Sequence, residues 1–363
     1  MKSWTDTLAT LAWLGPWASD ARRPRAPRRT TLRVPLDDER TGQAWVYHPK
    51  GRPTRAVFVV GGVHYDGPTD PRLDRLCRIF ANAGAIVCAP FIDDYMQLQV
   101  TPRAVEDVRA VFDAFVAGPL VPDGVDPGVF SISFGALPAL RVATDPGRAE
   151  RVSGVVLFGG YRDFERAFRY ALCGELDGAI VHDNDPLNRP VLFQTLLHLM
   201  DAEPVDEVRL RRAWRRFAIR TWGRDTMKRD GRHIPVAESL TGEVHPDDVR
   251  LYLLGCGVGE GGTKLCVDAL ERMDTAWLDP VTDAGRIRCP VHIIHGRDDD
   301  VIPWSEAHAL QAALAPHTDV TVSITGLYGH TGAGGRPGPA DVAREVATML
   351  GMVGTLSNLG RPD

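Results

Sequence analysis

Short, unbroken apolar runs closed by glycine or proline set the strongest limit on what this chain can fold into. Ala56–Val60 (AVFVV) ends at Gly61-Gly62, and Ala85–Pro90 (AIVCAP) ends in its own proline. A strand with one face in water alternates apolar and polar residues, so such runs belong to strands covered on both faces. Helical signals lie between them. Asp70-Pro71 supplies an N-cap followed by proline at the first helical position, and the helix then carries Leu73, Leu76, Cys77 and Ile79-Phe80 as far as Gly84. Thr101-Pro102 opens another, with Val105, Val108, Val111-Phe112 and Phe115. The alternation continues through the strand Gly128–Ser131, the helix Phe134–Ala143 and the strand Val152–Phe158. It resumes with strands Pro290–His295 and Val320–Ile324, a helix Ser305–Leu314 between them, and a closing helix over 340–350. Thr31–Leu36 and Gln43–Tyr47 read as two strands around the turn Asp37-Asp38-Glu39-Arg40. The expected class is α/β: a mainly parallel central sheet with helices on both faces.

From about Tyr161 to Gly285 the rhythm breaks. No buried strand is predicted there, but helical stretches are: 190–200 (PVLFQTLLHLM), 208–222, 247–255 and 264–273. This reads as a helical cap inserted between two sheet strands. The chain therefore divides into an N-terminal helix and Arg/Pro-rich linker (1–30), a first core part (31–160), the cap (161–285), a second core part (286–350) and a tail (351–363). Phe193, Leu196, Leu197 and Met200 can line a pocket, but a stripe at that spacing more often packs on the sheet.

An apolar fraction of 44% with 25% charged residues is ordinary for a folded soluble chain and excludes gross disorder. The net charge of −5 gives no basic field for nucleic acid. No apolar run is long enough to span a bilayer. The six cysteines are scattered without a C-x-x-C pair, which points to free thiols in a reducing, cytoplasmic setting and not to a disulfide or zinc framework. The stretch Leu8–Trp17 is too short and too interrupted for a good signal peptide. Trp4, Leu8, Leu11 and Leu14 share a helical face. Docking of that face on the core is favoured over a lipid-surface contact reinforced by Arg22, Arg23, Arg25, Arg28 and Arg29.

The chemistry centres on Val129-Phe130-Ser131-Ile132-Ser133-Phe134-Gly135. A buried strand meets a helix at a serine with small neighbours, the arrangement that holds a nucleophilic hydroxyl on a sharp, exposed turn. Ser131 stands where that motif has glycine. A serine hydroxyl needs a base to take its proton. Among eleven histidines, His330 lies in a loop directly after the last predicted strand, where loops from the carboxyl ends of parallel strands converge on the edge that carries Ser133. Asp298, Asp299 and Asp300 follow another strand. One of them, buried beside an imidazole, would fix its tautomer.

The order serine, aspartate, histidine resembles that of the α/β-hydrolases, over about residues 31–350 with the cap as an interruption. The stretch Gly296-Arg297-Asp298-Asp299-Asp300-Val301-Ile302-Pro303 is similar to that family's acid loop, where the acid lies three residues after the glycine. The resemblance implies Ser133 as nucleophile, Asp299 as acid and His330 as base. Gly61-Gly62 replaces the family's His-Gly, and the implied oxyanion donors are the backbone N–H groups of Val63 and Phe134. His64 and Tyr65 then follow the oxyanion loop, as pocket lining or as plain loop residues. The implied activity is cleavage of a carboxylic ester, thioester or amide of a small or medium acyl substrate. An acyltransferase with the same triad and a non-catalytic binding protein on the same fold are the alternatives. A serine at the turn argues against relatives that use a carboxylate there.

No cofactor or metal is expected. His292 and His295 lie three apart on a strand and point to opposite faces. Gly61-Gly62 lacks a phosphate-binding pattern. Asp93-Asp94 read as a surface turn, or as a contact for a polar substrate group.

Overall fold

The computed structural model describes residues 24–181, 185–326 and 339–361. The apolar N-terminal face (Trp4 to Leu14), Arg22, Arg23 and His330 lie outside these residues. Among the described residues ten strands form: β1 (Arg28–Pro35), β2 (Thr41–His48), β3 (Arg55–Val60), β4 (Ala85–Pro90), β5 (Gly128–Ile132), β6 (Gly154–Phe158), β7 (Glu175–Leu176), β8 (Ala179–Ile180), β9 (Val291–Gly296) and β10 (Val320–Thr325). Eight of them make one sheet in the order β1-β2-β4-β3-β5-β6-β9-β10. β1 pairs antiparallel with β2, and β2 with β4; from β4 to β10 every pairing is parallel.

The apolar runs mark the centre of this sheet. Every residue of β3 and β4 is buried. Alternate side chains of β3 enter different halves of the core, as the pleat requires. Ala56, Phe58 and Val60 face the helices Pro102–Ala117 and Ala136–Ala143. There the Phe58 ring meets Phe112 edge-on at 5.3 Å. Val57 and Val59 face the helix Pro71–Asn82 through Leu73, Cys77 and Phe80, and the C-terminal helix through Met352 and Leu356. The Asp70 carboxylate caps the first of these helices by accepting from the N–H groups of Arg72 and Leu73.

The final helix was expected to stop near Leu350, with a tail beyond. It runs from Pro339 to Asn358, and Met349, Met352, Val353 and Leu356 are buried in it. Their spacing is a helical stripe that continues past residue 350. Buried Arg55, at the start of β3, anchors its end by donating to the carbonyls of Leu356 (2.7 Å) and Leu359 (3.2 Å).

Between β6 and β9 no described residue adds a strand to the main sheet. The chain supplies helices Phe164–Cys173, Arg189–Leu196, Glu207–Thr221, Ile234–Glu238, Val249–Gly255 and Gly262–Leu270, with β7 and β8 as a separate two-residue hairpin. Phe193, Leu196, Leu197 and Met200 are buried in the core, and the Phe193 ring meets Trp214 at 5.7 Å. Arg28 and Arg29 are held on the sheet: Arg28 bonds His48, and the Arg29 guanidinium lies 3.4 Å over the Trp45 ring. No helix among the described residues is long and apolar enough to cross a membrane.

Candidate active site

The strand order reverses at β3. The connection from β3 leads to β4 on one side, whereas β5 lies on the other side and leads on to β6. A sheet of this kind opens a crevice at the carboxyl ends of the two strands flanking such a reversal. Val60 pairs with Ser131 at that end, so the residues that follow, Gly61–Val63 and Ser133, face each other across the crevice.

Ser133 directly follows β5 with φ of +52°, one of four non-glycine residues at positive φ among those described. That left-handed conformation is costly for a residue with a Cβ and persists only where the surroundings enforce it. The chain then enters a 3-10 turn, Ser133–Gly135, which runs into the helix Ala136–Ala143. Contact with the β3 loop is tight. A Cβ on Gly135 would meet the carbonyl oxygens of Val60 and Gly61 at 2.7 Å, and one on Gly62 would meet Ser133 Cβ at 3.1 Å. Glycine at 62 and 135 is what allows these two backbones to approach. Ser131 is fully buried and turns its hydroxyl to the Val156 carbonyl on β6, at 3.4 Å.

Among the described residues, neither the Val63 nor the Phe134 N–H donates a hydrogen bond. The Phe134 carbonyl accepts from the Tyr95 hydroxyl at 3.1 Å, which holds the next peptide unit, Phe134–Gly135, in place. The Val63 side chain packs against Leu98, Val191 and Ala218, with Tyr65 and Trp222 alongside. His64 stacks on Tyr65 at 4.4 Å, and Trp222 covers both rings at 5.5 and 5.9 Å. Arg215, on the helix Glu207–Thr221, clamps this loop by donating to the carbonyls of Tyr65 (3.1 Å) and Met96 (2.9 Å). Burial lowers the His64 pKa, against the pull of Asp70.

The loop with the three aspartates follows β9. Asp298 is exposed. Asp299 is buried, and its Oδ1 accepts from the N–H groups of Val301 and Ile302, both at 2.9 Å. Its Oδ2 lies 3.4 Å from Nε2 of buried His295. Asp300 is committed elsewhere, to Lys228 at 2.7 Å. β10 ends at Thr325, in register with Gly296 and beside this loop. β6 separates β5 from β9, so at a strand spacing of about 4.8 Å their ends lie roughly 10 Å apart.

Asp93-Asp94 prove to be structural in part. Asp94 is buried and bonded to Thr101 and Arg103, which ties the loop after β4 to the start of the next helix. Among the described residues one group, His64, Asp66 and Asp70, brings metal-ligating atoms within 4.8 Å of one another. Its groups already have partners: His64 Nδ1 accepts the Asp66 N–H, and the Asp70 carboxylate binds Arg72 and caps its helix. A cavity of about 330 Å³ lined by Val100, Gln194, Thr195 and Trp277 contains neither Ser133 nor Asp299.

No family model and no curated protein matches this sequence. Solved structures do. Uncomplexed acylaminoacyl peptidase from Pyrococcus horikoshii aligns with a TM-score of 0.51 at 10% identity, over 94% of this chain and 43% of that one. Its orthorhombic crystal form gives 0.50 at 11% identity, over 93% and 43%. This chain has the α/β-hydrolase fold. An acylaminoacyl peptidase in complex with Z-Gly-Gly-Phe-chloromethyl ketone also aligns, at a TM-score of 0.50 and 10% identity, over 93% of this chain and 43% of that one. The chain thus spans less than half the length of these peptidases. Within the α/β-hydrolase frame, sequence reasoning missed Tyr95, Tyr170, Arg215 and Lys228. Each is a single side chain on a helix or turn and makes its contact with a segment remote in sequence, so no local pattern marks it.

Proposed function

We propose that this chain is a serine hydrolase that cleaves a carboxylic ester of a small or medium acyl substrate through an acyl-enzyme on Ser133. One observation carries the reading: a serine forced to φ of +52° at the switch point, against a glycine loop that follows β3. Strain at such a position is kept where function uses it. His330 takes the Ser133 proton as Oγ attacks the carbonyl carbon. The N–H groups of Val63 and Phe134 hold the oxyanion, each worth about a hundredfold or more in rate. Collapse expels the alcohol with the proton from His330. Water, deprotonated by His330, then attacks the acyl-enzyme, and the acid leaves as Ser133 recovers its proton. Asp299 holds the His330 tautomer and stabilises the imidazolium. Burial and two backbone N–H bonds favour Asp299 over its neighbours, since Asp298 is exposed and Asp300 pairs with Lys228.

Residues 161–285 act as a cap over this crevice, supported by the contacts of Val191, Ala218 and Trp222 with Val63 and Tyr65. The reaction calls for no cofactor or metal. The six free cysteines suit a reducing, cytoplasmic compartment.

A series of p-nitrophenyl esters of increasing acyl length, run beside p-nitroanilides, tests the proposal. Nitrophenolate release by the wild type and none by Ser133→Ala is expected. Equal release by both would sink it. Anilide cleavage at comparable kcat/KM would shift the substrate to an amide or peptide. Diversion of the acyl group to an added alcohol would make the enzyme an acyltransferase.

A further inference from the structure

The loop that carries Asp299 is gripped by the inserted helical segment at two points. The Tyr170 hydroxyl, on the helix Phe164–Cys173, donates to the Asp299 carbonyl at 2.9 Å. Lys228 ends the short 3-10 helix Asp225–Lys228, and its Nζ lies 2.7 Å from Asp300 Oδ2 and 2.6 Å from Asp185 Oδ2. Asp185 is buried, and its Oδ1 accepts the Leu187 N–H at 2.9 Å, so the far end of this bridge is anchored. Burial opposes the Lys228 charge, but Asp185 and Asp300 outweigh it and hold the ammonium pKa above its ordinary value.

On the core side, the Val301 and Ile302 N–H groups orient the Asp299 carboxylate within its own loop. They do not set where that loop stands relative to its surroundings. Tyr170 and Lys228 reach it from outside.

We propose that Tyr170 and Lys228 are positioning residues for the acid: the hydroxyl on the Asp299 carbonyl and the ion pair to Asp300 couple the seating of the inserted segment to the placement of the Asp299 carboxylate. The inference rests on Asp299 being the acid. Misplacement of a catalytic group by about 1 Å costs about a hundredfold in rate, so a partial shift costs about tenfold. Neither residue touches substrate in this scheme, so KM stays put while kcat falls.

The test uses the full chain and p-nitrophenyl butyrate, with turnover expressed per site titrated by a fluorophosphonate. Lys228→Met and Tyr170→Phe are each expected to lower kcat about tenfold with KM within twofold. The double variant K228M/D300N is expected to be no slower than K228M, because both remove one ion pair. Unchanged kcat per titrated site in Lys228→Met and Tyr170→Phe overturns the coupling, and so does a loss confined to KM. A multiplicative loss in the double variant overturns the route through Asp300. If Lys228→Met does not fold, Tyr170→Phe and Asp300→Asn decide. Asp299→Asn separates the two levels. Full turnover there removes the underlying reading, whereas loss there with normal Lys228→Met and Tyr170→Phe removes only the coupling.

Discussion

Gly135→Ala adds one methyl group at the point where the serine turn touches the loop after β3. The new Cβ would stand 2.7 Å from both the Val60 and Gly61 carbonyl oxygens, where real side-chain carbons essentially never come within 3.0 Å. Relief requires each contact to open by at least 0.3 Å, and by 0.7 Å to reach the 3.4 Å of ordinary contact (3.0 − 2.7 and 3.4 − 2.7). Both obstacles are backbone, so no rotamer change helps. Overpacking of this kind costs about 1–3 kcal/mol. A domain of ordinary stability, about 5–15 kcal/mol, survives that loss and stays folded. The proposed activity has less tolerance. The displaced peptide units lead on to Val63, so the two N–H groups proposed as oxyanion donors move apart by a large fraction of an ångström. Kcat should fall about ten- to a hundredfold. The control is Gly242→Ala, where a Cβ meets nothing within 4 Å and the backbone is ordinary. Ester turnover and urea midpoints are measured on all three proteins. Wild-type turnover in Gly135→Ala, with an unshifted midpoint, would refute the reasoning.

Further expectations follow from the same geometry. Ser133→Gly should be more stable than Ser133→Ala by about 0.5–1 kcal/mol in urea unfolding, because only glycine adopts φ of +52° without strain, offset by its greater chain entropy. Equal midpoints would show the turn to be unstrained. Fully buried Glu306 accepts the N–H groups of Arg162 (2.7 Å) and Asp163 (2.8 Å) and pairs with Arg166. Glu306→Ala strands these donors where the inserted segment begins and should cost about 3–5 kcal/mol; a loss under 1 kcal/mol would contradict this. Burial lowers the pKa of His233 from 6.5, so the unfolded chain binds the extra proton. Its contribution to stability is complete above about pH 6.5 and is lost as pH falls towards the depressed folded value. The urea midpoint of the wild type should drop between pH 7 and pH 5, and His233→Gln should flatten that slope; an unchanged slope would exclude His233 as its source.

The central sheet was legible because each strand buried on both faces must be apolar throughout. Ala85–Pro90 and Ser305–Leu314 match their expected bounds residue for residue. The end of the last helix was not, because Gly351 and Gly354 obscure a stripe that Met352, Val353 and Leu356 continue. The close approach of Ser133 and Gly61-Gly62 was marked by the strand-to-helix turn and by glycine. Spacing left the three adjacent aspartates open, and only the resemblance singled out Asp299; the burial of Asp299 and the pairing of Asp300 depend on Ile302 N–H and Lys228, which only the fold brings in. The paired aromatic rings of His64 and Trp222 belong to segments far apart in the chain, and nothing local announces their contact.

The identity of the nucleophile is tested most directly by mapping a fluorophosphonate adduct by mass spectrometry in the folded protein. The account predicts one adduct on Ser133, absent in Ser133→Ala and retained in Ser131→Ala. Equal labelling in the two variants, or none in the wild type, would contradict it.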